Sequence, residues 1–215
     1  MTAAAPTLDL RQMPMGPLQT NCYLIGCRQT MQAAIVDPSW SGEKLARLVQ
    51  EEGYTLTHIL LTHAHFDHVG GLADLKGVLD VPVYAHPDSA DLLRHAARAG
   101  AMFGVSVTPP PPADHPLRDG DTVQVGNLTL EALYTPGHAP GHLSFWLREQ
   151  GVVLSGDALF QGGIGRTDLP GGDFATLMHA IRHKLLTLPD TTRVFSGHGP
   201  ATTIGIERTT NPFIA

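Results

Sequence analysis

Apolar and polar positions change rhythm several times along this chain, and the changes mark out its elements. Leu8 to Met13, Asn21 to Gly26 and Gln32 to Pro38 are apolar-rich runs of strand length. Gly26 to Thr30 turns between the last two, so the opening is predicted to be antiparallel. Ser41 is placed to N-cap a helix whose apolar residues Leu45, Leu48 and Val49 recur at helical spacing and which Gly53 ends. A buried strand from Thr57 to Leu61 follows, then a helix over 68–76 and a short strand over Val81 to Ala85. An alanine-rich helix runs from Pro87 through Ala99, with Gly100 as its stop.

Thr108 to Pro116 holds five prolines, each of which removes a backbone donor and fixes φ, so it can be neither helix nor interior strand. It reads as a semi-rigid connector. Beyond it the pattern repeats: strands over 121–125, 128–134, 142–147 and 152–155, a helix over about 173–188, and a last strand from Arg193 to Ser196. Thr202-Thr203 then caps a short helix from Ile204 to Arg208. Two rounds of strands followed by helices predict an α/β fold: two sheets face to face with helices outside, and strand-end loops gathered along one edge. The whole chain, 1–215, is read as one domain with halves of about 1–104 and 117–215.

A length of 215 residues, with 42% hydrophobic and 16% charged, suits one core of that kind. The formal charge of −6 offers no basic field for nucleic acid. Two cysteines, Cys22 and Cys27, are too few for a disulfide framework and are read as buried thiols. The opening MTAAAPTLDLRQMP has neither the basic nor the apolar segment of a leader, and no apolar run reaches the ~18 residues of a membrane span. The expectation is a cytoplasmic protein acting on a small molecule, with no membrane or nucleic-acid partner and its oligomeric state left open.

Chemistry concentrates after the strand that ends at Leu61. His63-Ala64-His65-Phe66-Asp67-His68 packs three imidazoles and a carboxylate into six residues on a strand-to-helix loop. Burying several titratable groups without partners is costly, so the pattern points to metal. Four donors this close cannot readily all close round one tetrahedral ion. Two ions are the simpler solution, His63 and His65 at one centre and Asp67 and His68 at its neighbour, each needing ligands from elsewhere. Three later strand ends carry donors in Gly- and Pro-rich settings: Thr135-Pro136-Gly137-His138, Ser155-Gly156-Asp157 and Phe195-Ser196-Gly197-His198. The other histidines read as structural or exposed: His86 and His95; His58 and His142 at strands, with support of a metal ligand as the alternative for each; and His179 and His183 one turn apart on a solvated helix face, with adventitious metal as their alternative.

Together, the H-x-H-x-D-H loop and these strand ends resemble the metallo-β-lactamase superfamily over nearly the whole chain. The resemblance implies an αβ/βα four-layer sandwich of two similar halves, with two divalent ions, zinc by default and iron or manganese as alternatives. It implies His63, His65 and His138 on one ion, Asp67, His68 and His198 on the other, and Asp157 bridging them. Hydroxide would attack a substrate carbonyl, with Asp67 orienting it. Gly156 to Asp168, with Arg166 among them, and Pro136-Gly137-His138-Ala139-Pro140-Gly141-His142 look like the glyoxalase II branch, the hydroxyacylglutathione hydrolases. That implies thioester substrates such as S-D-lactoylglutathione, with Arg166 gripping the glutathione moiety. The chain resembles the short bacterial form without a C-terminal helical domain, sharing its ending from Thr202 to Arg208 and Asn211-Pro212-Phe213. Gly199-Pro200 stands where longer relatives have an acidic residue and a tyrosine.

Related sulfur dioxygenases, which act on glutathione persulfide with one iron, share Gly165-Arg166-Thr167-Asp168 and are the main rival. The retained Asp67, His68 and His198 favour two metals over one. Lactam hydrolysis is disfavoured by the missing secretion signal, nuclease action by the acidic charge, and a non-catalytic metal-binding module by the complete donor set.

Overall fold

Every residue of the strand Thr20–Cys27 is buried, because both of its faces are covered. Cys22 and Leu24 enter one apolar cluster while Tyr23, Ile25 and Cys27 enter another, as the period-2 alternation of a strand requires. The fold is the extension of that alternation to neighbouring strands. The structure is a computed structural model that describes residues 7–215. The first six residues, where the single-domain reading begins and part of the opening MTAAAPTLDLRQMP falls, lie outside the described residues.

The first half contributes β1 (Leu8–Met15), β2 (Thr20–Cys27), β3 (Gln32–Val36), α1 (Gly42–Glu51), β4 (Thr55–Leu60), α2 (Phe66–Val69), α3 (Leu72–Val78), β5 (Val83–Ala85), α4 (Ala90–Met102) and β6 (His115–Pro116). Its strands form one sheet in sequence order, antiparallel from β1 to β3 and parallel from β3 to β6. The second half contributes β7 (Thr122–Val125), β8 (Leu128–Tyr134), β9 (Leu143–Leu147), β10 (Val152–Gly156), β11 (Leu159–Phe160), β12 (Gly163–Ile164), α5 (Phe174–Ala180), β13 (Arg193–Ser196), β14 (Thr202–Thr203) and α6 (Ile204–Thr210). Its main sheet has the order β14-β13-β10-β9-β8-β7, with β10 and β13 parallel, and β11 pairs with β12 in a separate hairpin.

Three cores separate four layers. Leu45, Val49, Leu72, Leu75, Leu93 and Ala96 from helices meet Leu24, Ile35, Ile59 and Leu61 on the outer face of the first sheet. Ile25, Val36 and Leu60 meet Leu130, Phe145 and Leu154 between the sheets. Val153 and Val194 meet Leu177, Ile181 and Leu185 under the last layer. The αβ/βα sandwich expected from the sequence is the architecture found. The proline connector ends in the edge strand β6, a strand position that tolerates Pro116.

Local departures from the sequence expectations have local causes. Ser41 does not cap α1 with its side chain; it adopts a left-handed φ of 50°, and its carbonyl accepts from the amides of Lys44 and Leu45. The helix expected over 68–76 is two helices, α2 and α3, divided at Gly70-Gly71, where the Gly71 amide is bound by the Pro38 carbonyl at 2.8 Å. Asp67 and His68 therefore stand on a helical turn and not on an open loop. Gly100 does not stop α4, which runs to Met102 after a 3₁₀ turn at Pro87–Ser89; the Gly100 carbonyl accepts from Val105 as the chain folds back. The helix expected to reach 188 leaves α geometry after Ala180 for a π-helical turn over Ile181–Leu185. Among the described residues, no helix is long and apolar enough to cross a membrane.

Gly42 is where α1 meets α3: a β-carbon there would fall on the Gly71 carbonyl oxygen and the Leu75 amide. Gly42→Ala is expected to cost about 1–3 kcal/mol by overpacking. At about 2–4 °C per kcal/mol for a chain of this size, calorimetry should show a midpoint lowered by several degrees. An unchanged midpoint would mean that the two helices do not approach as described.

Candidate metal centre

The ends of parallel strands bring the sequence-predicted donors together. β4 runs into Thr62 and His63, β10 into Asp157 and β13 into His198, while the turn between β8 and β9 carries His138. The donor atoms of His63, His65 and His138 all lie within 4.8 Å of one another, as do those of Asp67, His68 and His198. Asp157 stands between the two sets: its Oδ1 is 3.4 Å from His68 Nε2, and its Oδ2 is 3.5 Å from both His138 Nε2 and His198 Nε2. All seven candidate ligands thus meet in one place, with His63, His65 and His138 in one close group and Asp67, His68 and His198 in another.

The donor chemistry of this cluster fits divalent cations. Among the described residues, four buried side-chain nitrogen or oxygen atoms have no hydrogen-bond partner, and three of them are His63 Nε2, His68 Nε2 and Asp157 Oδ1. Orphaned polar atoms in a native interior call for an explanation, and a bound ion is one. His65 Nδ1 and His138 Nε2 approach to 2.9 Å, close enough to share one proton or one cation.

The electrostatics favour ligand forms. Burial, reinforced by the neighbouring imidazoles of His68, His65 and His138, pushes His63 well below the usual histidine range and so keeps it neutral. Burial and then His138 take His65 down to about 4, and burial lowers His138 as well. His68 goes the other way: burial pulls it down, but the carboxylates of Asp157 and Asp67 outweigh burial and lift it well above the usual range. Burial would raise Asp67, yet the charge of His68 and the hydrogen bond from His198 win and bring it to about 2; Asp157 is lowered in the same way. Two ionised carboxylates facing His68 Nε2 form a cation site, and a metal ion can take the place of the proton there.

A supporting layer, not foreseen from the sequence, orients these groups. Asp37, at the end of β3, accepts from the Thr62 amide at 2.7 Å and the Thr62 hydroxyl at 2.6 Å, and holds His68 Nδ1 at 2.9 Å. With Nδ1–H directed at Asp37, Nε2 of His68 is left for the centre, as in the carboxylate–histidine–metal arrangement. Asp37 also forms a close group with His63 and His68, but its oxygens are committed to these bonds, so it orients ligands. Thr20 donates to Asp67 Oδ2 at 2.8 Å.

His142 departs from the reading of an ordinary strand residue: it is fully buried, its Nε2 accepts from the Asp157 amide at 3.0 Å, and its Nδ1 meets the Thr135 hydroxyl. The signal available for it was its place four residues after His138. His86 is structural as expected, accepting from the Asp88 amide and stacking on Tyr134. His95 lies exposed on α4, and His179 and His183 stack on an exposed helix face. Arg166 has its side chain more than half exposed, with its guanidinium doubly bonded to Asp168 at 2.7 Å. Its carbonyl, however, fixes His138 Nδ1 at 2.8 Å.

Comparison with known proteins places this geometry. Residues 15–198 match the metallo-beta-lactamase superfamily. The chain is 45% identical over 206 residues to the probable metallo-hydrolase YqgX of Bacillus subtilis, covering 95% of this chain and 96% of that one. It is 39% identical to the hydroxyacylglutathione hydrolase GloC of Haemophilus influenzae, with 96% and 98% covered, and 33% identical to the mitochondrial persulfide dioxygenase ETHE1 of Bos taurus, with 98% and 77% covered. Among solved structures, the BLEG-1 B3 metallo-beta-lactamase superposes with a TM-score of 0.90 at 41% identity, covering 96% of this chain and all of that one. TTHA1623 in a di-iron-bound form superposes with a TM-score of 0.87 at 44% identity, with 94% and 99% covered. With sequence and architecture matched over nearly its full length, the chain belongs to the metallo-beta-lactamase superfamily.

Proposed function

We propose that the chain is a binuclear metal-dependent hydrolase of thioesters such as S-D-lactoylglutathione. In this reading His63, His65 and His138 hold one ion, Asp67, His68 and His198 the other, and Asp157 both. The observation that carries it is the pair of donor sets sharing one carboxylate, with His63 Nε2, His68 Nε2 and Asp157 Oδ1 buried and unpartnered. The similarity to the hydroxyacylglutathione hydrolase GloC supports the choice of substrate. The di-iron form of TTHA1623 supports two ions and leaves iron as open as zinc.

Two bound divalent ions would supply an acidified water and a Lewis-acid contact for a substrate carbonyl. The chain's own residues fix the rest. Thr20 holds Asp67 Oδ2, so that the other oxygen of that carboxylate is left aimed. Asp37 and His142 pin His68 and the Asp157 amide, so the centre needs little rearrangement when charge develops. A thiolate, whose parent thiol has a pKa of ~8.5, departs without a proton donor, so a thioester asks no side chain to act as general acid. Arg166 would meet a carboxylate of the thiol carrier at the rim, sharing it with Asp168.

One relative supports a second reading: the persulfide dioxygenase ETHE1 makes oxygen-dependent chemistry on a persulfide the alternative. The likeness to BLEG-1 adds lactam cleavage as a third activity to assay. Purified protein is expected to cleave S-D-lactoylglutathione without oxygen, and to fail on glutathione persulfide and on a chromogenic cephalosporin. The opposite pattern would replace the thioester reading with one of the other two.

His65→Ala is expected to remain folded by circular dichroism while losing more than about 100-fold in kcat/KM, beyond the loss typical of an outer partner. Full activity in that variant would remove the mechanism. Because Arg166 is exposed and already paired, Arg166→Ala is expected to raise KM a few-fold and to leave kcat nearly unchanged. A fall in kcat alone would place it in the chemical step instead.

A further inference from the structure

Glu207 is completely buried on α6, and its hydrogen-bond donors among the described residues, Thr202, Gly162 and Asn211, are all uncharged. Its Oε1 accepts from the Thr202 hydroxyl at 2.6 Å; its Oε2 accepts from the Gly162 amide and from Asn211 Nδ2, both at 2.8 Å. Asn211, also fully buried, donates from the same Nδ2 to the Gly163 carbonyl at 3.0 Å. Two side chains one helical turn apart thus grip the amide of Gly162 and the carbonyl of Gly163, which form the tip of the β11–β12 hairpin. A buried carboxylate is costly unless its hydrogen bonds are complete, and here the hairpin backbone completes them.

The hairpin matters because of where it lies. It leaves Asp157, presents the Phe160 ring edge-on to His198 at 6.3 Å, and returns to Arg166, whose carbonyl fixes His138. Near its base, a β-carbon on Gly165 would collide with the Asp157 carbonyl oxygen. The segment 158–165 therefore runs past both donor sets, with Phe160 half-buried and Gln161 exposed.

We propose that Glu207, with Asn211, is a positioning residue that clamps the β11–β12 hairpin as a fixed wall of the substrate cleft, setting substrate affinity without touching substrate or metal. The kinetic part rests on the thioester-hydrolase reading; the clamp itself does not.

The chemistry of the clamp separates Glu207→Ala from Glu207→Gln. A glutamine keeps one oxygen for Gly162 and Asn211 and can turn its amide nitrogen to the Thr202 hydroxyl, which accepts as well as donates. Ile204→Ala, in the same helix with its side chain buried in the apolar core, serves as the stability control. Metal content, thermal midpoint, thioester kinetics and amide hydrogen exchange are measured on all four metal-loaded proteins.

Glu207→Ala is expected to keep its metal, to raise KM about tenfold with kcat changed less than about threefold, and to speed exchange across 158–165. Glu207→Gln should return both KM and exchange to near the parent values. Ile204→Ala should lower the midpoint at least as much as Glu207→Ala while leaving KM and exchange at 158–165 unaltered. The proposal is overturned if Glu207→Ala lowers only the midpoint, if Ile204→Ala shifts KM equally, or if metal is lost in step with KM. If the parent protein cleaves no thioester, the substrate reading fails by itself, and exchange at 158–165 still decides whether the clamp exists.

Discussion

Six buried or nearly buried titratable groups, His63, His65, His68, His138, Asp67 and Asp157, face one another across a few ångströms, and His198 closes the group from its more open side. Left to themselves they conflict: the imidazoles of one set lower each other's affinity for protons, while the carboxylates of the other raise that of His68. A cation in each set would remove the conflict, because it would satisfy Nε2 of His63 and His68 and Oδ1 of Asp157 together. The fold is arranged around holding these groups in that opposition. Parallel pairing at β3–β4 and at β10–β13 sends both strand ends of each pair the same way.

Close approach is as important as donor identity. A β-carbon on Gly197 would fall on Asp157 Oδ1 and against the His68 ring, so the residue beside His198 has to be glycine for the shared carboxylate to sit where it does. Behind the donors, Asp37, Thr20 and His142 spend their hydrogen bonds on Thr62, His68, Asp67 and the Asp157 amide. The site is thus preorganised by groups that would not themselves touch a substrate, which is the arrangement that electrostatic catalysis needs.

Much of this was legible in the sequence, for identifiable reasons. The donors were readable because their density at 63–68 and the Gly settings of His138, Asp157 and His198 are local signals. The four layers were readable because strands and helices differ in period. Asp37 was not, since an aspartate before Pro38 reads as a strand end; its role exists only once β3 lies beside β4 and brings it to Thr62, 25 positions away. His142 likewise acquires its role from the meeting of the β9 start with the β10 end. The break at Gly70-Gly71 depends on a carbonyl from Pro38, and the run of α4 through Gly100 on a chain reversal at Val105, both tertiary contacts. Residues whose chemistry is written in their neighbours can be read as candidates from sequence; those whose chemistry depends on pairing, Asp37 above all, cannot.

The account stands on two cation sites that share Asp157. Elemental analysis of metal per chain on purified protein, repeated on Asp157→Ala, tests that most directly. Two ions per chain in the parent protein, with both weakened in the variant, is the predicted result. One tightly held ion in the parent, or a variant that keeps two, would contradict it.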